Sequence, residues 1–333
     1  MTFPSRTEIV TAIKNPQICY KAKELIGGSA QYKGSNIIQY AGGYTTVFPF
    51  IDNSGKKVAV RCWCADIGDA RKRSSAISDY LSQNPNPYFG NFKYIENAIL
   101  INGTLQPIVV MDWVDGKPLK EYVNDNCNSS AIAALAEKFK LMVADLHKLN
   151  IAHGDLQHGN ILVKSNGSLV LVDYDSMYID PLQGMADVIK GLPGYQHPAR
   201  GKNQSIAPYL DYFSELIIYL SLLIFSENPN LWGNYYNEED LLFSKEDFAN
   251  IKQSAIHKQF RNSSNKTISN LLIRLEEELS KSDIQQLLPL EELIIDKLEK
   301  AMEGIMDKWN NQPNPPQPKV FTIPDIKSIT DKF

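Results

Sequence analysis

The chain has 333 residues, enough for one large domain or two lobes packed together, and its 43% hydrophobic and 22% charged residues exclude disorder as the main state. The formal net charge of -4 provides no general attraction to nucleic acid or to an anionic membrane surface, so we expect neither as a partner. The four cysteines are too few and too unevenly spread for a disulfide framework, which favours a reducing cytoplasm.

The first third of the sequence predicts a sheet with one main helix. A short helix is predicted over residues 5–14, within a segment, residues 1–35, that we interpret as an N-terminal extension without chemistry of its own. A longer helix is predicted over residues 69–83, before a Pro-rich stop. Runs rich in β-branched and aromatic residues predict four strands, over 37–50, 57–64, 94–101 and 107–113.

After residue 116 the apolar spacing becomes helical, with helices predicted over 119–123 and 130–149. One hairpin interrupts them, with strands over 161–163 and 169–172 around an Asn-Gly turn. The most apolar segment, 209–225, contains two acids and predicts a buried core helix, not a membrane span. A Pro-rich stretch near the C-terminus predicts an extended linker and tail.

One segment combines side chains suited to phosphoryl transfer. Asp155 and Asn160 stand five residues apart just before the first strand of the predicted hairpin, and Asp173 follows the returning strand. Transfer from ATP needs a carboxylate that orients the attacking hydroxyl and takes its proton, and it needs hard oxygen ligands for Mg²⁺. Because a hairpin returns the chain to its starting end, we expect the three side chains to lie close together.

The order His153-Gly154-Asp155, Asn160 and Asp173-Tyr174-Asp175 resembles the protein kinase superfamily, whose loops read His-Arg-Asp, Asn and Asp-Phe-Gly. The resemblance implies that Asp155 is the catalytic base, that Asn160 and Asp173 hold Mg²⁺, with Mn²⁺ as an alternative ion, and that His153 supports the loop. Gln157 stands where protein kinases carry a phosphate-contacting lysine, so the resemblance makes it a second catalytic position.

The same resemblance implies an α+β, bilobal protein kinase-like fold and an ATP site between the lobes. The expected parts are the extension, a β-rich small lobe over 36–112, a helical large lobe over 113–310, and a linker and tail over 311–333. The Gly-rich loop, the phosphate-binding strand and the hinge of the family match segments starting at Tyr40, Val58 and Val109. The implied ATP-binding residues are Gly42, Gly43, Tyr44, Val47, Ala59, Arg61, Met111, Asp112, Val114 and Leu162.

Several departures from the family shape the expectation. Arg61 replaces the phosphate-binding lysine, and a longer cation needs a matching anion. Between residues 70 and 83 the only acid is Asp79, so we predict that Asp79 pairs with Arg61. Gly154 replaces the arginine that would bind an activation-loop phosphate, which makes control by loop phosphorylation less expected. Asp211 matches the family aspartate that holds the backbone of the catalytic loop.

Taken together, the motifs are similar to those of a bacterial group of eukaryotic-like Ser/Thr kinases. The resemblance implies a Mg²⁺- and ATP-dependent enzyme that phosphorylates Ser or Thr of a protein substrate whose identity the sequence does not name. Two alternatives stay open. The Arg61 and Gln157 replacements suit a pseudokinase that binds nucleotide or a partner, and the His-Gly-Asp loop is shared with kinases of small molecules.

Overall fold

The computed structural model describes residues 3–65 and 69–295, and every statement on structure below concerns these residues. The strands are β1 (Ser29–Ala30), β2 (Tyr32–Lys33), β3 (Asn36–Ile37), β4 (Tyr40–Ala41), β5 (Thr45–Ile51), β6 (Lys57–Trp63), β7 (Phe92–Ile101), β8 (Thr104–Asp112), β9 (Gly116–Pro118), β10 (Ile161–Lys164) and β11 (Leu169–Leu171). The predicted linker and tail over 311–333 lie outside the described residues.

The helices described include four long ones, of at least 14 residues each, and short 3₁₀ helices connect several of the later elements. The α-helices are α1 (Arg6–Ile13), α2 (Pro16–Cys19), α3 (Ala70–Gln83), α4 (Leu119–Asp125), α5 (Ser129–Lys148), α6 (Tyr212–Glu227), α7 (Trp232–Tyr235), α8 (Lys245–Ala249), α9 (Ala255–Phe260), α10 (Lys266–Leu279) and α11 (Leu290–Ile294). Helix therefore dominates after residue 118, and sheet dominates before residue 113, as a bilobal kinase-like fold requires.

The small lobe is built on an antiparallel sheet with the order β1-β5-β6-β8-β7, in which β4 also pairs with β5. The turn between β7 and β8 is Asn102-Gly103, and both residues have positive φ, 46° and 77°. These angles match the tight hairpin turn that this dipeptide favours. Successive residues of a strand point to opposite faces, so Val60 and Cys62 contact one core while Trp63 contacts the other.

The segment predicted as an N-terminal extension packs, over its described residues 3–35, against the sheet of the small lobe. Ile9 and Ile13 of α1 are fully buried, and they share one core with Phe50 and Val60 of the sheet. In addition, β1 pairs with β5, with Ser29 opposite Ile51. The outer face of the sheet is apolar, and these residues cover it because burying that face stabilises the fold.

The core of the large lobe is formed around α5 and α6. All but four of the sixteen residues of α6 are buried, including its Glu215. In the part of the chain that the structure describes, one segment, Pro208–Glu227, has the length and composition of a membrane span, and 78% of its apolar window is buried inside the fold. The prediction of a buried core helix is therefore confirmed.

Candidate active site

A cleft of about 350 Å³ lies between the sheet and the helical region, with mainly apolar side chains on its walls. Nine of the predicted site residues line it: Gly42, Val47, Ala59, Arg61, Met111, Asp112, Val114, Leu162 and Asp173. Two of the predicted ATP-binding residues, Gly43 and Tyr44, are not in this lining, and neither are Asp155, Gln157 and Asn160 of the neighbouring loop. The sequence analysis missed Tyr40, Ala41, Thr45, Gly90, Asn91, Trp113, Val172 and Tyr174. Apolar walls with a few polar groups at one end suit a planar base that carries phosphates.

The β4–β5 turn borders the cleft, which Ala41, Gly42 and Thr45 line. Gly42 N donates a hydrogen bond to Thr45 O at 2.9 Å, which closes the turn, and Arg6 of α1 donates to Gly42 O. Tyr44 is 47% exposed, and its carbonyl accepts hydrogen bonds from Cys64 N and Ala65 N, which follow the end of β6. Tyr44 therefore contributes backbone hydrogen bonds that fix the β4–β5 turn, while its side chain is not part of the cleft lining.

The catalytic loop is held by the carboxylate of Asp211, which is 2% exposed. Its two oxygens accept hydrogen bonds from the backbone nitrogens of His153 and Gly154, the second at 2.8 Å. His153 is fully buried, and its Nε2 lies 2.9 Å from Val172 O, just before residues 173–176, which we call the metal loop because it begins with Asp173. Asp211 thus holds the backbone of the loop that carries Asp155, and His153 links that loop to the strand end before Asp173.

Gly154 occupies a position that only glycine fits. Its φ is +80°, and a Cβ built on it would overlap the carbonyl oxygen of Ser176. A cation still reaches this loop, because Arg200 Nη2 donates to Gly154 O at 3.0 Å and pairs with Asp187 at 3.1 Å. Sequence reasoning missed Arg200 and Asp187, since neither belongs to a motif and their pairing depends on the tertiary fold.

Asp155 and Asn160 are adjacent, as predicted from their spacing. Asn160 Nδ2 donates to Asp155 O at 2.8 Å and to Asp155 Oδ2 at 3.3 Å, while Leu192 N donates to Oδ1 at 3.3 Å. Burial raises the pKa of Asp155; the negative charges of Asp173 and Asp211 add to this effect, against an opposing contribution from His153. Since its amide nitrogen faces Asp155, Asn160 keeps Oδ1 for a cation.

The β10–β11 hairpin explains why Asp173 returns to Asn160. Leu162 pairs with Val170, and after the second strand Val172 N donates to Asn160 O at 3.0 Å. Asp173 follows with φ +67°, and its side chain is 54% exposed towards the cleft that it lines. The two predicted metal ligands therefore lie at the same end of one hairpin.

Tyr174 fixes the metal loop from behind. Its ring packs against the rings of Phe89, Phe92 and His153, and its hydroxyl donates to Leu171 O at 2.8 Å. The same hydroxyl accepts from Gly90 N at 3.1 Å. With its ring 3% exposed and its hydroxyl fully used, Tyr174 holds Asp173 at the edge of the cleft.

Gln157 lies in the catalytic loop but turns back on it. Its Oε1 accepts a hydrogen bond from Gly159 N at 2.6 Å, which closes a short turn before Asn160. In the residues that the structure describes, no hydrogen bond joins Gln157 to Asp155. The side chain predicted as a second catalytic group therefore stabilises the loop in this conformation.

The predicted pair of Arg61 with Asp79 is wrong. Arg61 Nη2 lies 3.3 Å from Asp173 Oδ1 and forms a closer ion pair with Asp175. Helix α3 buries Arg73, Ser74 and Ile77, and Asp79, five residues after Ser74, lies on the exposed side. The carboxylate therefore points away from the cleft, and the anions that face Arg61 come from the metal loop.

The oxygen donors at this end of the cleft suit Mg²⁺ together with a phosphate chain. Among residues 3–65 and 69–295, no group of three His, Cys, Asp or Glu side chains is arranged to hold a metal by itself. The Asp173 carboxylate and the Asn160 Oδ1 supply two hard ligands. Magnesium in nucleotide sites commonly takes one or two protein oxygens and completes its shell with phosphate and water. The residues present fit that pattern.

Comparison with known proteins shows which family the chain is similar to. Residues 41–297 match the family model described as "Protein kinase domain". The chain is 26% identical over 155 residues to "Serine/threonine-protein kinase ppk6" of Schizosaccharomyces pombe, covering 46% of this chain and 18% of that protein. It is 25% identical over 198 residues to "Serine/threonine-protein kinase PAK 1" of Mus musculus, covering 56% of this chain and 35% of that protein.

A bacterial relative is more similar over a shorter stretch. The chain is 38% identical over 73 residues to "Probable serine/threonine-protein kinase PknB" of Lactococcus lactis, covering 21% of this chain and 11% of that protein. The chain thus spans well under half the length of the curated relatives it matches. The family model nevertheless covers most of the chain, including every loop described above, and the chain therefore belongs to the protein kinase domain family.

Proposed function

We propose that the protein is an active kinase that transfers the γ-phosphoryl group of ATP to a Ser or Thr hydroxyl of a protein. The observation that carries the proposal is that Asp155 and Asn160 lie side by side and that the β10–β11 hairpin returns the chain to Asn160 just before Asp173, which lines the mainly apolar cleft. A chain that only bound nucleotide would not require a base beside the metal ligands.

The residues have distinct parts in this reaction. Asp155 accepts the hydrogen bond of the incoming hydroxyl and takes its proton as the acceptor oxygen bonds to the γ-phosphorus. The bond from that phosphorus to the bridging oxygen breaks, and ADP leaves with the electron pair. Asn160 and Asp173 would hold Mg²⁺, which neutralises charge on the phosphates when bound. Val47, Ala59 and Leu162 line the walls where the adenine would lie.

The proposal is tested with the single substitution Asp155→Asn. We expect ATP binding, measured by thermal shift, to persist while transfer of labelled γ-phosphate falls by about 10²–10⁴-fold, because the base is lost but the cleft is unchanged. Asp79→Asn is the matched control, since that carboxylate is exposed on α3. Equal transfer by wild type and Asp155→Asn would contradict the proposal.

A pseudokinase is the second candidate, and two observations favour it. Arg61 is engaged by two carboxylates, and Gln157 is engaged by its own loop. Purified wild-type protein that binds ATP but transfers no phosphate with Mg²⁺ or Mn²⁺, to protein or small acceptors, would establish this candidate. Transfer only to small hydroxyl compounds would instead identify the third alternative, a small-molecule kinase.

The setting of the enzyme is part of the proposal. We place it in the His-Gly-Asp group of bacterial kinases and in a reducing compartment such as the cytoplasm. The Lactococcus lactis relative supports the first point, and four free cysteines support the second. Thiol titration of the native and unfolded protein, purified without reductant, would test the second; fewer than four reactive thiols after unfolding would oppose it.

A further inference from the structure

We propose that Asp175 is the residue that positions Arg61 for the nucleotide phosphates. The orientation of this cation is then set by the metal loop and not by α3. The inference rests on the proposed nucleotide site, and it assigns Asp175 a part in that site. Its basis is a partly buried ion pair between residues 114 positions apart in the chain.

The guanidinium of Arg61 requires an anion where it lies. Its side chain is 4% exposed, and burial lowers its pKa because the charged form loses water, while Asp173 opposes that effect. A buried cation without a partner is strongly destabilising. In the described residues, the carboxylates that meet Arg61 are those of Asp173 and Asp175, both through Nη2.

The two carboxylates are not equivalent. Asp173 is 54% exposed and lines the cleft, where a bound metal ion would compete for its carboxylate, and its contact with Arg61 is the longer one at 3.3 Å. Asp175 is 16% exposed and makes the closer contact. It belongs to a single 3₁₀ turn, Tyr174–Ser176, whose neighbours Tyr174 and Ser176 are both buried. Asp175 is therefore the fixed anion, and Asp173 is available to a ligand.

Helix α3 has no carboxylate that could replace Asp175 as the partner of Arg61. The single acid of Ala70–Gln83, Asp79, is exposed. The charged side chain that α3 does bury is Arg73, a second cation, whose Nη2 donates to Ala186 O at 3.0 Å. Since α3 offers Arg61 no buried carboxylate, the geometry leaves the metal loop as the source of the anion.

Without Asp175, Arg61 is left with Asp173 as its partner, and the cation is drawn onto a metal ligand. We therefore expect Asp175→Asn to weaken binding of ATP without metal by about tenfold, the effect of losing one charge-assisted contact. The KM for ATP should rise more than kcat falls, because Asp155 is unaffected. Asp175→Glu should restore part of the affinity, since it keeps the charge.

The measurement is a fluorescence titration with a labelled ATP analogue in EDTA, on the full chain, beside the kinetic constants with Mg²⁺. Melting temperature confirms folding of each variant, and Asp79→Asn is the carboxylate control. In a double-mutant cycle, Asp175→Asn should have little further effect once Arg61→Gln is present. Unchanged or tighter binding by Asp175→Asn, where Arg61→Gln binds weakly, would overturn the inference.

The outcomes separate this inference from the proposed function. If Asp155→Asn abolishes transfer but Arg61→Gln leaves nucleotide affinity unchanged, the kinase assignment stands and the positioning role of Asp175 is refuted. If wild type transfers no phosphate but Asp175→Asn still weakens metal-free binding with rescue by Asp175→Glu, the positioning role stands without catalysis.

Discussion

Asp155 is a base in a negative environment. Burial raises its pKa, and Asp173 and Asp211 act in the same direction. A base must be ionised to take a proton, so a raised pKa moves the loss of activity towards neutral pH. This environment suits a group that collects a proton during transfer and releases it afterwards.

The pH dependence of kcat/KM checks this environment. With a folded pKa above the ordinary value of 3.8, we expect activity to fall, as pH is lowered, at a pH higher than an exposed aspartate would give. The assay is run over the acid range in which the melting temperature is unchanged, so that unfolding does not contribute. A flat profile down to pH 4 would refute the expectation.

Gly154 provides a prediction on backbone geometry. We expect Gly154→Ala to destabilise the protein by about 2 kcal/mol or more, because alanine at φ +80° is strained and its Cβ overlaps Ser176 O. Thermal unfolding measures the loss. Gly233→Ala is the control, since a Cβ there meets nothing within 4 Å. Equal melting temperatures for the two variants would contradict the close approach.

At the scale of single residues, the sequence predicted those site residues that belong to a local motif. Asp155, Asn160 and Asp173 are recognisable because the spacing around one hairpin brings them together. The partner of Arg61 was predicted wrongly, because the choice between Asp79 and Asp175 depends on which side of α3 faces inward. Arg200 has no local signal, since its contacts with Gly154 and Asp187 arise only when three segments pack.

Three helices of the large lobe meet at one histidine. His147 of α5 lies 2.9 Å from Glu215 of α6 and 2.8 Å from Glu291 of α11. Burial lowers the pKa of His147, but the two carboxylates outweigh it and raise the pKa to about 9. For Glu215, burial raises the pKa to about 7, against the hydrogen bond from His147. A protonated His147 therefore bridges α5, α6 and α11; we call these two contacts the His147 bridge.

The pKa shifts of His147 and Glu215 both predict that the His147 bridge stabilises the fold less as pH rises. A histidine with a folded pKa of about 9 contributes fully below its unfolded pKa of 6.5 and loses the contribution through pH 9. Glu215, raised from 4.5 to about 7, also favours the folded state less as pH rises. We expect His147→Gln to cost at most about 3 kcal/mol at pH 6 and much less above pH 9.

Melting temperatures of wild type and His147→Gln across pH 6–10 give the measurement. The difference between the two proteins should shrink with rising pH. Lys148→Gln serves as the control because its ion pair with Asp145 is exposed, and it should alter stability little. A pH-independent difference for His147→Gln would contradict the bridge.

At the scale of elements, strand and helix positions followed from local patterns, and their ends moved by a few residues. The predicted strand over 94–101 is observed as Phe92–Ile101, and the helix over 130–149 as Ser129–Lys148. The long predicted strand over 37–50 is divided into β3, β4 and most of β5. Gly42 and Gly43 form the turn between β4 and β5, and the partner strand, not the local sequence, determines where pairing begins.

For the whole molecule, the N-terminal helices are part of the small-lobe core. Their removal would expose the apolar sheet face that contains Phe48, Phe50 and Val60, all fully buried. The sequence alone could not show this, because an amphipathic helix and a two-residue strand become interpretable only with the sheet they cover. The division into sheet and helical regions was predictable, since it depends on a change of period near residue 113.

Two isoleucines test that packing. We expect Ile9→Ala to destabilise the protein by about 2–5 kcal/mol, because Ile9 is fully buried against the sheet. Ile18→Ala should change stability by less than about 0.5 kcal/mol, since Ile18 is 70% exposed. Chemical unfolding of both variants gives the comparison. Equal effects would mean that the N-terminal helices do not cover the sheet.

The position of Tyr174 between Asp173 and Asp175 has a consequence for inhibitor design. Its ring is lodged among Phe89, Phe92 and His153, on the same short turn as both carboxylates. A compound that displaces α3 would leave the anions around Arg61 in place. A compound that displaces the Tyr174 ring from its pocket would move Asp173, a metal ligand, together with Asp175, the partner of Arg61. That pocket is therefore the more sensitive target.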